Sequence, residues 1–375
     1  RYLEALVRQP RESLRPYGWG MTQLTVDREV LALGRIAITA ARGLLPDGPR
    51  PAVVFTTRIA PDGGAVLAGV QRAVIRSRAK LAYETVAPDD LPPGFDEIAR
   101  RIAAAEDHRG AARVDPPEQE VERDADGRFE LRFRPLLPSE KRNAALSLAT
   151  NMAVADLLQA NGTGLFRVMA APAPRAEARL RLTARAFGMD WPAAAPLAQF
   201  EKTLDPLDPR HGAFMLAIRR AGQGASYVPF RAGQTPWHAA MAATYAHATA
   251  PLRRLADRYV VRAALAVANG QAVPDAVSAA FDRLPAVMDK AEARSGQIER
   301  AAIDLAEAAI LAHRAGEEFD AVVTDLGETG ARIQLCDLPV VARVSANGVV
   351  PGAAVRVRLE SADPARRTLA FQRTA

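Results

Sequence analysis

The residues with the most chemistry lie between Tyr245 and Val260, which reads Tyr-Ala-His-Ala-Thr-Ala-Pro-Leu-Arg-Arg-Leu-Ala-Asp-Arg-Tyr-Val. Proline suits the first position of a helix, so the pattern predicts a start at Pro251 with Thr249 or Ala250 as the cap. Leu252, Leu255, Ala256, Tyr259 and Ala263 recur at helical spacing and are expected to face a core. Arg254, Arg258 and Arg262 form a separate row. Arg253 and Asp257 are one helical turn apart and are expected to touch. A helix start carries free N–H groups and partial positive charge. Two arginines placed there make a site for an anion, and phosphate is the natural one. Spacing alone favours an amphipathic helix with solvated arginines.

The stretch resembles the signature of the RNB exoribonucleases, the ribonuclease II and R family, which runs roughly Tyr-x-His-Phe-Thr-Ser-Pro-Ile-Arg-Arg-Tyr-x-Asp. Tyr245, His247, Thr249, Pro251, Arg253, Arg254 and Asp257 match it. Ala248, Ala250 and Leu255 depart from it. A second stretch, Val74-Ile-Arg-Ser-Arg-Ala-Lys-Leu-Ala-Tyr-Glu84, is similar to the family's Ile-x-Ser-Lys-Ala-Lys-Leu-x-Tyr segment. The resemblance implies hydrolysis of single-stranded RNA from its 3′ end to nucleoside 5′-monophosphates, with Mg²⁺ held by aspartates. It implies that Arg253 is catalytic and binds the reacting phosphate. Arg254, Arg76, Arg78 and Lys80 would follow the RNA backbone. Tyr83 would stack on a base near the 3′ end, where an ordinary core tyrosine is the alternative. His247 and Thr249 complete the expected RNA-binding set.

One part of the family pattern is missing. The metal-binding motif, roughly Asp-x5-Asp-x-Asp-Asp, does not occur in the 375 residues. Asp27 stands alone, and a lone aspartate is usually a cap or a surface charge. Either the carboxylates are lost, or the natural protein has stretches that this chain omits; the continuing match downstream favours omission. No metal ligand is therefore assigned. The helix around Asn143 carries Ala144 and Ala145 where better-known members have Glu-Glu, and it is closer to a shorter, divergent bacterial branch.

Composition agrees with a globular RNA binder and says little more. The chain is 49% hydrophobic and 25% charged, with a net charge of +6, which suits a polyanionic partner. Cys336 is the single cysteine, which excludes an internal disulfide and points to a reducing, cytoplasmic setting. No apolar run is long enough for a membrane span. A monomer is expected.

Along the chain, residues 1–26 form an accessory segment with a short helical pattern, either part of a helix-turn-helix that contacts duplex or DNA or a solvent-exposed tail. A helix is expected over Asp27–Leu33. Strands are expected at Ala52–Ile59 and Val66–Val74 around Asp62-Gly63-Gly64, which reads as a hairpin turn. A helix follows over Phe95–Asp107. Strands at Val121–Arg123 and Phe129–Phe133 flank Asp124-Ala-Asp-Gly127, whose aspartates read as turn residues rather than metal ligands. Ser139 is expected to cap a helix ending at Asn161-Gly162. A strand over 164–169, a helix over 175–187, a strand over Gln223–Arg231 and long helices up to Ala315 complete this part. From Gly316 five short strands suggest a small barrel, similar to the S1 type of OB-fold, with Phe319 and Phe371 as its only aromatics. The expected architecture is α+β: an RNB-type nuclease domain over 27–315, incomplete at its N-terminal part, followed by an S1-type OB-fold β-barrel over 316–375 that binds single-stranded RNA, with a barrel used for protein contact as the alternative.

Walker and dinucleotide loops, a Gly-x-Ser-x-Gly elbow and histidines at metal spacing are absent from the sequence, so nucleophilic and dinucleotide redox chemistry lack support. Two rivals remain beside the nuclease reading: a catalytically inactive RNA-binding relative, and a nucleic-acid-binding regulator that prefers duplex DNA.

Overall fold

The computed structural model describes residues 48–111, 118–123, 129–134, 136–222, 224–327 and 330–374. The expected accessory segment at 1–26, the helix expected over Asp27–Leu33 and the turn expected at Asp124–Gly127 lie outside them. The chain is a mixed α and β protein of two compact units, each assembled from separate stretches.

The first unit takes the described residues of 48–111, 137–169 and 225–298. It opens with an antiparallel hairpin of β1 (Pro49–Ile59) and β2 (Ala65–Arg76). Gly63 makes the turn possible: its φ is +82°, and a Cβ there would collide with the Arg101 carbonyl oxygen. Helix α1 (Phe95–His108) buries Ala99, Ile102 and Ala105. Helix α2 (Pro138–Ala160) is the rod of this unit. Its start differs from the expected serine cap. The Glu140 carboxylate accepts the Leu137 N–H at 2.7 Å, and Pro138 fills the first turn. Ser139 instead donates its hydroxyl to the Tyr83 carbonyl at 2.7 Å. Small residues dominate the buried positions of α2, including Ala145, Ala149, Ala153 and Ala155, so neighbours approach closely on several sides.

A four-stranded sheet stands beside that rod, ordered β6 (Ala225–Pro229), β5 (Leu165–Met169), β7 (Trp237–His238), β8 (Ala243–Thr244). Helix α6 (Leu255–Ala268) follows, then α7 (Asp275–Leu311). The shared core includes Leu158 of α2, Phe166 of β5, Val260 of α6, and Phe281 and Met288 of α7.

The second unit takes the described residues of 118–136, 170–224 and 299–374. It contains the hairpin β3 (Glu118–Arg123) and β4 (Phe129–Arg134), and helices α3 (Pro174–Ala186), α4 (Leu197–Glu201) and α5 (Pro209–Ala221). Five strands then form a nearly closed barrel: β9 (Glu318–Gly327), β10 (Gly330–Leu335), β11 (Val341–Val344), β12 (Ala354–Asp363) and β13 (Thr368–Arg373), in the order β11-β10-β9-β12-β13. Strand alternation sends Ala331, Ile333 and Leu335 into the barrel core. Val322 and Cys336 belong to a different core, shared with Leu180 of α3, Phe200 of α4, Phe214 of α5 and Trp191. No described helix is long and apolar enough to cross a membrane.

Candidate nucleic-acid interface

The signature stretch is not the start of a helix. Residues 245–254 run irregularly, and α6 begins at Leu255 with Arg254 as the extended N-cap residue. The expected start at Pro251 is therefore four residues early. The cause is Asp257, which is fully buried and turns the preceding chain onto itself. Its carboxylate accepts the Ala250 N–H at 2.7 Å. It also takes a bidentate pair from Arg254, with Nε at 2.7 Å and Nη2 at 2.8 Å. Arg258 Nε donates to the Pro251 carbonyl at 2.7 Å and closes the same bend. The expected pairing of Asp257 with Arg253 is thus replaced by one with Arg254. An extended residue 254 lets its side chain fold back to Asp257, while Arg253 is exposed and has no side-chain partner among the described residues.

Asn151 holds the other end. It sits in the middle of α2, 2% exposed, among alanines and leucines. Its Oδ1 accepts the Ala248 N–H at 2.9 Å, and its Nδ2 donates to the Tyr245 hydroxyl at 2.9 Å and the Thr249 hydroxyl at 3.3 Å. Arg167 of β5 donates its backbone N–H to the Tyr245 carbonyl at 2.7 Å. Five residues later on α2, Asp156 accepts the Thr244 hydroxyl at 2.9 Å. The segment is therefore fixed at Thr244, Tyr245, Ala248, Thr249 and Ala250.

His247 stands at its centre. Its Nδ1 lies 2.7 Å from the Tyr227 hydroxyl, and its ring meets Tyr227 and Tyr245 edge to face. Burial, then the positive charges of Arg254, Arg167 and Arg253, drive its pKa far below the usual imidazole value. The ring is neutral, and the field around it is positive. Two of those three charges are matched: Arg254 by Asp257, and Arg167 by Glu292 at 2.9 Å. Arg167 also lies 4.5 Å over the Tyr227 ring. The unmatched cation is Arg253. Burial raises the Tyr227 phenol, which stays protonated, and burial with Arg167 lowers His238 to about 4. His238 is 5% exposed and packs edge to face on Tyr245.

Tyr83 is reached by the same rod. It is 45% exposed, so it is not a core tyrosine. Asn143 Nδ2 donates to its hydroxyl at 2.9 Å, and Ser139 holds its carbonyl. Asn143 and Asn151 are about 12 Å apart along a helix axis, at ~1.5 Å per residue. Arg76, Arg78 and Lys80 are exposed on the segment that leads to Tyr83. Thr249 is exposed as well.

Sequence reasoning missed Asn151, Arg167 and Tyr227. Asn151 had a signal: a poor helix former in the middle of an alanine-rich helix. Arg167 had one too, as a charge inside an apolar strand.

Comparison with known proteins follows this geometry. A family model described as the RNB domain matches residues 20–269, two thirds of the chain. The chain belongs to the RNB family. A second model, the RNase II-type exonuclease C-terminal S1 domain, matches residues 317–374. Among solved structures, Mycoplasma genitalium RNase R in complex with ribose-methylated single-stranded RNA is similar, with a TM-score of 0.71 at 16% identity over 88% of this chain and 58% of that one. RNase R of the same organism in complex with double-stranded RNA gives a TM-score of 0.65 at 16% identity, over 88% of this chain and 61% of that one. Yeast Ssd1, described as a pseudonuclease, gives 0.61 at 16% identity, over 89% of this chain and 43% of that one. The RNB fold is therefore shared by nucleases and by at least one relative without that activity. The chain spans a little over half the length of the RNase R chains it matches. A separate local similarity, 50% identical over 48 residues, covers 13% of this chain and 11% of the type VI secretion baseplate component TssK1 of Pseudomonas aeruginosa.

Proposed function

We propose that this chain binds single-stranded RNA and holds the phosphodiester near its 3′ end against Arg253, as a 3′-to-5′ exoribonuclease of the RNB family would. One observation supports this above the others: around a neutral His247 three arginines converge, and acidic partners match only two. A phosphate supplies the missing negative charge. Arg76, Arg78 and Lys80 extend the positive track, and Tyr83 offers a face for a base. The setting proposed is a monomer in the cytoplasm.

Hydrolysis to nucleoside 5′-monophosphates is the finer reading, and in this family it is a Mg²⁺-dependent step. Among the described residues no group of three or more His, Cys, Asp or Glu could hold a metal ion. The carboxylates that hold this site together are already used, Asp257 and Glu292 as ion-pair partners and Asp156 as a hydroxyl acceptor. The described residues do not fit a divalent ion. That observation favours a second reading, a chain that grips RNA and leaves it intact. The test is incubation with 5′-labelled single-stranded RNA in Mg²⁺, with and without EDTA, together with a filter-binding measurement. Binding without shortening supports the second reading. EDTA-sensitive shortening with release of mononucleotides supports the nuclease. Absence of single-stranded RNA binding, or preference for duplex DNA, removes both.

A further inference from the structure

The second unit carries a cluster of arginines that the RNA site above does not use. Between α3, α5 and the outer face of β9 and β10 lies a cavity of about 60 Å³. Its polar lining is Arg179 and Thr183 of α3, Arg220 of α5, Thr324 and Asp325 of β9, and Arg332 of β10. The placement follows from strand alternation. Ala331, Ile333 and Leu335 fill the barrel, so Arg332 and Gln334 take the other face, beneath the helices. Gly352 keeps that contact close, because a Cβ there would clash with Leu182 of α3.

The charges do not balance. Arg179 pairs with Asp325 at 2.9 Å. Arg220 Nη1 donates to the neutral Gln334 Oε1 at 3.0 Å. Arg332 has no side-chain partner among the described residues. Three guanidiniums thus share one carboxylate. Glu307 adds little negative charge, since burial raises its pKa to about 8. Gln334 is fully buried, and its Nε2 has no hydrogen-bond partner among the described residues. The threonine hydroxyls are committed as donors, Thr183 to the Arg179 carbonyl at 3.0 Å and Thr324 to the Arg332 carbonyl at 3.4 Å. Recognition of a ligand here therefore falls to the guanidiniums, whose planar forks match phosphate oxygens.

We propose that Arg179, Arg220 and Arg332 form a second anion site, built for one phosphate group, where the helices meet the barrel. A single water needs ~10–15 Å³ of such space, so the cavity has room for a phosphate-sized group. The phosphate comes either from an RNA backbone that crosses the cavity mouth or from free phosphate. The site goes beyond the RNA reading above, and it is tested without RNA first.

The probe is inorganic phosphate, titrated by calorimetry into the full chain against chloride at matched ionic strength. Wild-type protein is expected to bind it. Arg332→Gln, which breaks no described side-chain contact, should weaken that binding at least tenfold with an unchanged melting temperature in the absence of phosphate. Arg253→Gln, in the other unit, should leave a second, intact binding event. The source is then read with a single-stranded RNA decamer. If the RNA backbone occupies the site, Arg332→Gln also weakens RNA binding and reduces the log–log salt slope by about 0.7. If free phosphate occupies it, RNA binding is unchanged. Failure of the wild type to bind phosphate, or full retention of binding by both Arg332→Gln and Arg220→Gln, overturns the proposal.

Discussion

Two adjacent arginines in one motif have separate work. Arg254 is 16% exposed and forms a bidentate pair with a fully buried carboxylate. Arg253 projects from the same bend without a partner among the described residues. Removing one member of a buried pair leaves the other charged and uncompensated, at a cost of ~3–5 kcal/mol. Arg254→Ala should therefore lower the urea midpoint by that equivalent, whether or not RNA is present. Arg253→Ala should leave the midpoint within ~0.5 kcal/mol, as exposed substitutions do, while RNA affinity falls. Denaturation and filter binding on the two proteins check this together. Equal loss of stability in both, or unchanged affinity in Arg253→Ala, would end the division of labour. Arg253→Lys should recover only part of the affinity, because an ammonium is a point charge and not a fork.

At the scale of elements, α2 carries the site. Ser139 and Asn143 hold the Tyr83 segment, Asn151 holds residues 245–249, and Asp156 holds Thr244. The helix sets the spacing between the proposed stacking face and the arginine bend. Tyr83→Ala should cost ~1–3 kcal/mol of RNA binding, the worth of one stacked base. Tyr83→Phe removes the hydroxyl that Asn143 holds, so it and Asn143→Ala should give equal and smaller losses. Fluorescence titration with short RNA separates these outcomes; unfolding of Tyr83→Ala would return Tyr83 to a packing role. Much of this framework was legible in the sequence. The strands and helices followed from periodicity and turn residues, and the five strands expected after Gly316 are the five strands of the barrel. What was hidden is tertiary. Pro251 reads as a helix start because helices favour proline there, but Asp257 captures the Ala250 N–H and Arg254 and delays the helix to Leu255. A buried asparagine that braces a loop nearly a hundred residues away has no local spacing to reveal it.

At the scale of the whole molecule, the compact units do not follow chain order. The pattern changes at Gly316, and β9 begins at Glu318. Nothing local announces that residues 170–224 share a core with the barrel, since Phe214 and Trp191 lie far in sequence from Val322 and Cys336 of the same core. The piece 299–311 of α7 joins them through Glu307, which is 4% exposed and accepts the Val341 N–H of β11 at 3.2 Å. Burial raises its pKa to about 8 from an ordinary 4.5, and burial raises Glu201 of α4 likewise to about 8. Between those values the folded state binds protons that the unfolded state has released. Stability from these groups is therefore complete below pH 4.5, falls as pH rises, and is gone above about 8. Glu307→Gln keeps an acceptor for Val341 and has no proton to lose. It should flatten the decline of stability between pH 6 and pH 9 and make the variant the more stable protein at pH 9, by on the order of a few kcal/mol. The measurement is urea denaturation at pH 5, 7 and 9 on both proteins, with RNA affinity at pH 7 as the control for the distant site. Parallel curves for wild type and variant would mean that Glu307 is charged in the folded protein, and that its contact with β11 is an ordinary carboxylate cap.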